Sequence, residues 1–449
     1  MINTNLTTYT SDFLEVLNGF TEVEPSLVTL NFTLDKIAKV QVEICDKNYT
    51  FEYPYAPKNQ IEEKRLTKRF AKLSLYKALA DFTKVDLPWG ALTGVRPTKL
   101  AYQNVENWQS FFKDTMCVSD EKVALIGDVL KSQDGIYSLD SSNAGLFVSV
   151  PFCPTRCAYC SFISNEICKE KRINEYIDRL IEEIHASKPL IKNLRSIYIG
   201  GGTPVSLTDE HFTKLLEAIG KHDVEYTVEA GRPDCITREK LEIMKAYGVT
   251  RVCVNPQTFQ DKTLELIGRR HTAKDVIEKY HLVKEYGFDV NMDLIAGLTG
   301  ESFEDFVDTL QTAISLNPEN ITVHTLCLKK GSKLKESTKC LSDGEVSKMV
   351  EYARKTLDEN GYKPYYLYRQ KYMAGNLENV GYAKAGKQCV YNVDIMEETT
   401  SILACGANAI SKKVGKNGGA ITRIAAPKDI ASYINRQPEI IIEKNSLFE

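Results

Sequence analysis

Three cysteines stand at C-x₃-C-x₂-C spacing in Pro151-Phe-Cys153-Pro-Thr-Arg-Cys157-Ala-Tyr-Cys160-Ser-Phe162. Thiolates this close in sequence can converge on one metal centre. A structural zinc site wants four protein ligands, and a [4Fe–4S] cluster normally takes four thiolates, one per iron. No fourth Cys or His follows at short spacing, and Cys168 lies beyond the loop near a helix start. Three ligands therefore point to a cluster with one iron left open to an exogenous group. Tyr159 and Phe162 would shield it from water. The competing readings are structural cysteines, or a zinc site completed from elsewhere in the chain. Nine of the twelve cysteines are scattered singly. Residues 1–20 have no basic segment leading into an apolar one, so we expect a cytoplasmic protein whose clustered cysteines serve a metal or catalysis.

Further polar residues sit at regular stations downstream. Gly200-Gly201-Gly202-Thr203-Pro204 follows one strand-like run, and Gly-rich backbone at a strand's carboxyl end permits close approach of a ligand. Glu229 ends the next run and could accept hydrogen bonds from a ribose diol. Gln257 follows the fourth, and Arg269 comes after it with a fork suited to a carboxylate. Asp293 and Ile295 lie in a mostly apolar run, where a carboxylate needs a definite partner.

These stations must be positioned by a repeating fold. Strand-like segments at 146–150, 196–199, 226–229, 251–254, 290–295 and 321–328 alternate with amphipathic stretches at 171–187, 209–220, 238–247, 273–286 and 303–316. Gly248, Gly287 and Asn317-Pro318 stand where helix stops are expected. The alternation predicts an α/β fold with a parallel sheet, either a complete or partial β/α barrel or a doubly wound sheet. The region 1–143 begins with strand-like alternation and continues into a helical stretch at 60–82, whose basic residues Lys64, Arg65, Lys68, Arg69 and Lys72 read as a solvated face. The expected division is 1–143 (α+β), 144–330 (β/α) and 331–449 (mixed α/β). With 449 residues and a net charge of −3, the chain is long enough for two or three domains and is not one that binds nucleic acid mainly by charge. No apolar run reaches the roughly 18 residues of a membrane span.

The cysteine triplet, with an aromatic before its last Cys and a strand before its first, resembles the radical S-adenosylmethionine (SAM) enzymes. Val-Pro-Phe-Cys153, Gly-Gly-Gly-Thr203-Pro204, Glu229, the Gln257-to-Arg269 spacing and Asp293-Leu-Ile-Ala-Gly-Leu are similar to the oxygen-independent coproporphyrinogen oxidase family, which also contains haem chaperones. Trp89-Gly-Ala-Leu-Thr-Gly-Val-Arg-Pro-Thr98, Asn255-Pro-Gln-Thr258, Ile267-Gly-Arg-Arg-His271 and the segment 368–382 extend the likeness to its HemZ-type branch, the coproporphyrinogen dehydrogenases. The resemblance implies a partial (β/α)₆ barrel flanked by the other two regions. It implies a [4Fe–4S] cluster on Cys153, Cys157 and Cys160, and SAM contacts from Phe147, Tyr159, Phe162, Gly201, Gly202, Thr203, Pro204, Glu229, Gln257, Arg269, Asp293 and Ile295. The implied reaction removes a hydrogen atom from the β-carbon of a substrate propionate, after which CO₂ and one electron leave and a vinyl group forms. A one-electron donor of flavodoxin or ferredoxin type would be needed. Arg232, Arg270, Arg369 and Lys371 are the cations expected to face the tetrapyrrole. The alternatives are a haem chaperone, or a radical SAM enzyme acting on another tetrapyrrole. Three departures stand out: Phe147 and Ser149 where the well-known bacterial enzyme has Tyr and His, Ser161-Phe162 where it has a further Cys nearby, and Asn408 replacing Gly in the pattern G-x-G-A-x-S.

Overall fold

The computed structural model describes residues 1–94, 96–160, 165–327, 343–370 and 373–449. They pack as two compact units, Met1–Gly127 with Tyr368–Glu378, and Asp128–Leu367 with Asn379–Glu449.

The first unit is built on a sheet of β1 (Asn3–Thr4), β2 (Val28–Leu34), β3 (Ala38–Ile44) and β4 (Lys47–Tyr53), in that order. Strand β3 shows why: Ala38, Val40, Val42 and Ile44 are buried while Lys39, Gln41 and Glu43 point outward, the period-2 pattern of a half-buried strand. The helix Gln60–Thr83 starts at Asn59, whose side chain caps the Glu62 amide, and packs on the sheet with Phe70 stacked on Tyr53 at 4.4 Å. The basic face of this helix is only partly solvated. Lys64 and Arg65 are exposed, but Lys68 pairs with Asp12, Arg69 lies over the Phe111 ring, and Lys72 is buried against the Thr93 hydroxyl.

The segment 368–378 closes this unit. Glu378 is buried and accepts from the Trp89 indole and from Lys122, each at 2.7 Å. Removing one partner from a buried pair leaves an uncompensated charge. Lys122→Met should therefore destabilise the first unit by about 3–5 kcal/mol. Native-state proteolysis of this unit checks it; a loss under about 1 kcal/mol contradicts a buried pair.

The second unit holds an eleven-stranded sheet. Its strands are β5 (Asn143–Val150), β8 (Asn193–Gly201), β9 (Glu225–Val228), β10 (Arg251–Cys253), β11 (Asp289–Ala296), β12 (Asn320–Thr325), β13 (Lys363–Tyr368), β14 (Asn379–Ala383), β15 (Ser401–Cys405), β16 (Ile410–Val414) and β17 (Ile421–Ala425). Two short strands, β6 (Phe152–Cys153) and β7 (Asn165–Glu166), pair separately. Strands β5, β8, β9, β10, β11 and β12 lie side by side, all parallel, in sequence order. A doubly wound sheet reverses direction at its midpoint. This one does not, so the order is that of a β/α barrel wound in one direction. The residues read as a C-terminal region extend the same sheet: β15 joins β5 in parallel, and β14 joins β12 antiparallel.

Local chemistry sets the helix ends. Thr272 with Asp275 and Ser302 with Asp305 form capping boxes that open Ala273–Glu285 and Phe303–Leu316. Asn317 ends the latter at φ 61°, a conformation Asn tolerates, and Pro318 prevents continuation.

Each parallel strand has one face of Val, Ile and Leu and one of polar or aromatic groups. Register places Phe147 beside Tyr198, Tyr198 beside Thr227, Cys253 beside Asn291, and Asp293 beside Thr322 on the second face. At its lower end, Glu225 accepts from the amides of Val390 and Tyr391 at the start of the helix Val390–Glu397, at 3.0 and 3.1 Å. An anion there suits the helix dipole. The helix thus places Tyr391 on Tyr198, ring centroids 4.4 Å apart, with Phe147 stacked alongside both.

Candidate cluster and SAM site

The cysteine loop leaves the upper end of β5. Phe152 pairs with Asn165 across the base of the loop, and the Asn165 amide donates to Pro151 O at 2.8 Å. Below this base, Ser149 donates to Ala407 O at 2.7 Å, and the Tyr176 hydroxyl links Ser149 O to the Ala407 amide. The Gly406 amide donates to the buried carboxylate of Glu183 at 2.8 Å. The G-x-G-A-x-S segment therefore braces the strand that carries the cysteines. Asn408 stands in it at φ 60° with its amide on Pro427 O, so Asn supplies the left-handed conformation that Gly would.

Cys153, Cys157 and Cys160 are half-buried. Thr203 Oγ1 lies 3.6 Å from Cys153 Sγ, and Arg232 Nη1 lies 3.9 Å from Cys157 Sγ. The loop is tied across to the residues before Arg269: the Ala158 amide donates to Ile267 O at 2.9 Å, and Thr155 Oγ1 to Gly268 O at 3.4 Å. Tyr159 packs on Leu264, Ile267, Ile295, Leu298 and Leu326.

Among the described residues, no three His, Cys, Asp or Glu groups converge to grip a single ion. In a cluster each of the three thiolates would sit on its own iron. Cationic nitrogens beside the sulfurs fit thiolate ligands: Arg232 reaches Cys157, and Arg269 also interacts with it.

The predicted SAM residues gather along the upper polar face. Gly201 has φ 102°, and a side chain on Gly202 would put a Cβ 2.4 Å from Phe152 O. This close approach lets the Gly202 and Thr203 amides donate to Val150 O and Phe152 O at 2.8 and 2.7 Å, which pins the Gly-rich turn to the cysteine loop. Pro204 is buried at the start of the next turn. Gln257, buried at φ 70°, bridges to β11 through Asp293 O and the Ile295 amide. Arg269 is buried, donates to Asn255 O at 2.5 Å and Tyr159 Oη at 3.2 Å, and keeps an unpartnered Nε. Asn255 Oδ1 is likewise buried and unpartnered. These orphaned polar atoms are what a polar cofactor would satisfy.

Two carboxylates face this surface with opposite tendencies. Asp293 accepts from Asn291 Nδ2 at 2.9 Å and lies 3.8 Å from His324 Nε2. Burial alone would raise its pKa, but His324, Asn291 and Thr322 hold it below the ordinary value. Glu229 accepts from Tyr198 Oη at 2.6 Å and the Gly201 amide at 3.2 Å. Burial, reinforced by the charge of Asp293, pushes it up to about 7. Between the ordinary value of 4.5 and about 7, the folded protein holds a proton that the unfolded chain has released. The stability linked to this group is therefore full at low pH and is lost as pH rises through that window. Glu229→Gln should raise stability at pH 8 by on the order of 1–3 kcal/mol, and by less at pH 5.5. Calorimetry without SAM checks this; a larger gain at pH 5.5 contradicts it.

The radical SAM superfamily profile matches residues 147–313. The oxygen-independent coproporphyrinogen-III oxidase-like protein HemZ of Bacillus subtilis is 38% identical over 417 residues, 87% of this chain and 82% of that protein. The chain belongs to the HemZ-type branch of the radical SAM superfamily. Members of this superfamily use a [4Fe–4S] cluster and SAM. The haem chaperone HemW of Bacillus subtilis is 36% identical over 192 residues, which is 41% of this radical SAM chain and 50% of the chaperone. The structure titled coproporphyrinogen III oxidase (HemN) from Escherichia coli matches with a TM-score of 0.54 at 22% identity, covering 67% of this chain and 72% of that one, and so shares its fold.

The four cations expected at the substrate fare differently in this radical SAM protein. Arg270 is exposed and stands next to Arg269. Arg232 is buried with its fork on Asp234, at 3.0 and 3.1 Å, so it serves the cluster loop rather than an open mouth. Arg369 belongs to the first unit, where it is buried over the Trp89 ring and donates to Leu92 O and to Asn376. Burial lowers its pKa to about 10. It has become a clamp on its own unit because its partners are the carbonyls of Leu92 and Asn376 and the Asn376 side-chain oxygen. Lys371 and Phe162 lie outside the described residues. Sequence reasoning missed Tyr198, named Asn255 only within a motif, and noted His324 without giving it a role here. All three share the strand alternation that carries Glu229 and Asp293, so that pattern held their signal. It also missed Tyr391, which comes from a distant helix with no local signal.

Proposed function

We propose that this chain catalyses the oxygen-independent oxidative decarboxylation of coproporphyrinogen III to protoporphyrinogen IX, converting two propionates to vinyl groups. The observation that carries this reading is the full-length likeness to the coproporphyrinogen-III oxidase-like relative, which covers 87% of the chain and so takes in most of the first unit. When bound, the cluster and SAM supply a 5′-deoxyadenosyl radical able to take a hydrogen atom from an unactivated carbon.

The chain's own residues bind and orient. Cys153, Cys157 and Cys160 would hold three irons. The Gly201–Thr203 turn, tied to the cysteine loop, would fix the approach of SAM; Glu229 would accept from its ribose, and Arg269 would meet its carboxylate. Gln257, Asp293, Phe147, Tyr159 and Ile295 complete the wall that holds SAM and excludes water. Arg270, exposed beside this wall, is the cation that meets a substrate propionate. Loss of CO₂ from the substrate would pass one electron to an external one-electron acceptor and needs no general base. Reduction of the cluster needs a one-electron donor of flavodoxin or ferredoxin type. Among the described residues no helix is long and apolar enough to cross a membrane, and we place the reaction in the cytoplasm.

A second reading, haem transfer without decarboxylation, is favoured by the HemW relatives, which match 41% and 65% of this chain. An anaerobic assay with coproporphyrinogen, SAM and a reductant separates the two. Vinyl products with matching 5′-deoxyadenosine support the oxidase. SAM cleavage with unchanged porphyrinogen, and haem retained by the protein, overturns it in favour of the chaperone.

A further inference from the structure

Arg232 is 3% exposed, so its guanidinium must find partners inside the protein. One edge is taken by a carboxylate two residues away: Nε and Nη2 donate to the two oxygens of Asp234 at 3.0 and 3.1 Å. Pro233 and the turn Pro233–Cys235, closed by the Cys235 amide on Arg232 O at 3.0 Å, place both side chains for this contact. The buried ring of His271 lies on the far side of Asp234, Nδ1 to Oδ1 3.8 Å. Fork and carboxylate together fix the guanidinium plane. The opposite edge, Nη1, is thereby aimed at the cysteine loop, where it donates to Thr155 Oγ1 at 3.0 Å and reaches Cys157 Sγ at 3.9 Å.

Resting on the cluster assignment above, we infer that Arg232 tunes the cluster: its Nη1 donates to the Cys157 thiolate and raises the reduction potential. Adding an electron makes the cluster more negative, so a donor held against a ligand sulfur stabilises the reduced form more than the oxidised one. Asp234 offsets most of the formal charge but occupies the Nε–Nη2 edge, so Nη1 still faces the sulfur. Arg232 is a positioning and tuning residue, and touches neither SAM nor substrate in this role. It makes the cluster easier to charge with one electron from a weak donor.

The test is an anaerobic potentiometric titration with dithionite as the one-electron reductant, read by electron paramagnetic resonance without SAM or tetrapyrrole. Wild type, Arg232→Gln and Arg232→Lys are reconstituted and assayed for iron and sulfide. For Arg232→Gln we expect the reduction equilibrium to weaken about tenfold, a shift of 59 mV to lower potential for one electron. Arg232→Lys, with a charge but no fork, should fall between. Midpoints equal to wild type at full cluster content overturn the inference and leave Arg232 as a tie between the loop and the end of β9. If Arg232→Gln takes up no cluster, Arg232→Lys decides: a lowered midpoint supports tuning, and an unchanged one overturns it. The readout is independent of the tetrapyrrole, and failure of the cluster assignment would show separately, as wild type without iron.

Discussion

Replacing any one of Cys153, Cys157 or Cys160 with Ala should cut 5′-deoxyadenosine formation from SAM by more than about a hundredfold, since changes to groups merely surrounding a metal ligand already cost 10–100-fold. The three sulfurs sit on one loop whose base is closed by β6 and β7 and whose far side hangs on Ile267 and Gly268. An iron without its ligand dissociates or opens to solvent. The same substitution at Cys253 or Cys405 should leave SAM cleavage near wild type, because both are buried in strands and take no part in the loop. The measurement is nucleoside release per chain under reducing, anaerobic conditions. Cleavage that survives in the loop variants contradicts the ligand assignment.

Arg269→Gln should weaken SAM binding by a factor of roughly 30 to several thousand, the effect of truncating one partner of a buried, hydrogen-bonded charge pair. Arg269 is buried and carries more donors than the protein satisfies: Nη1 has Asn255 O, Nη2 has Tyr159 Oη, and Nε has no partner. A buried guanidinium with an unpartnered Nε keeps a charged donor for an anion. Gln keeps a donor but loses the charge and the fork. Lys keeps the charge alone, so Arg269→Lys should recover only part of the affinity. Anaerobic calorimetric titration with SAM checks both, with iron content measured in parallel. SAM affinity unchanged in Arg269→Gln at full iron content would remove Arg269 from the binding site.

Short-range features carried most of the information in the sequence. The cysteine loop, the Gly-rich turn and Glu229 follow directly on strands, Asp293 lies within one, and four of the helices around them start at Thr208, Thr237, Thr272 and Ser302 caps. Strand order was not legible, because periodicity is the same in a barrel and a doubly wound sheet; the hydrogen-bonded order of β5 to β12 decides it. The arginines show the limit most clearly. Residue type gave Arg232, Arg270 and Arg369 the same expectation. Their fates depend on partners: Asp234 two positions away, open surface, and Leu92 O at a separation of 277 residues. The last of these belongs to the segment 368–378, which leaves the sheet to pack in the first unit, and no local pattern announces such an excursion. Lys72 was misjudged for the same reason: its helix turns from exposed to buried midway, and only the sheet beneath it determines where.

The most direct measurement is elemental analysis of the chain purified without oxygen. We expect a brown protein with about four iron and four inorganic sulfide per chain, able to release 5′-deoxyadenosine once reduced. A colourless protein carrying zinc on the same cysteines, with no iron and no SAM cleavage after reconstitution, would contradict it.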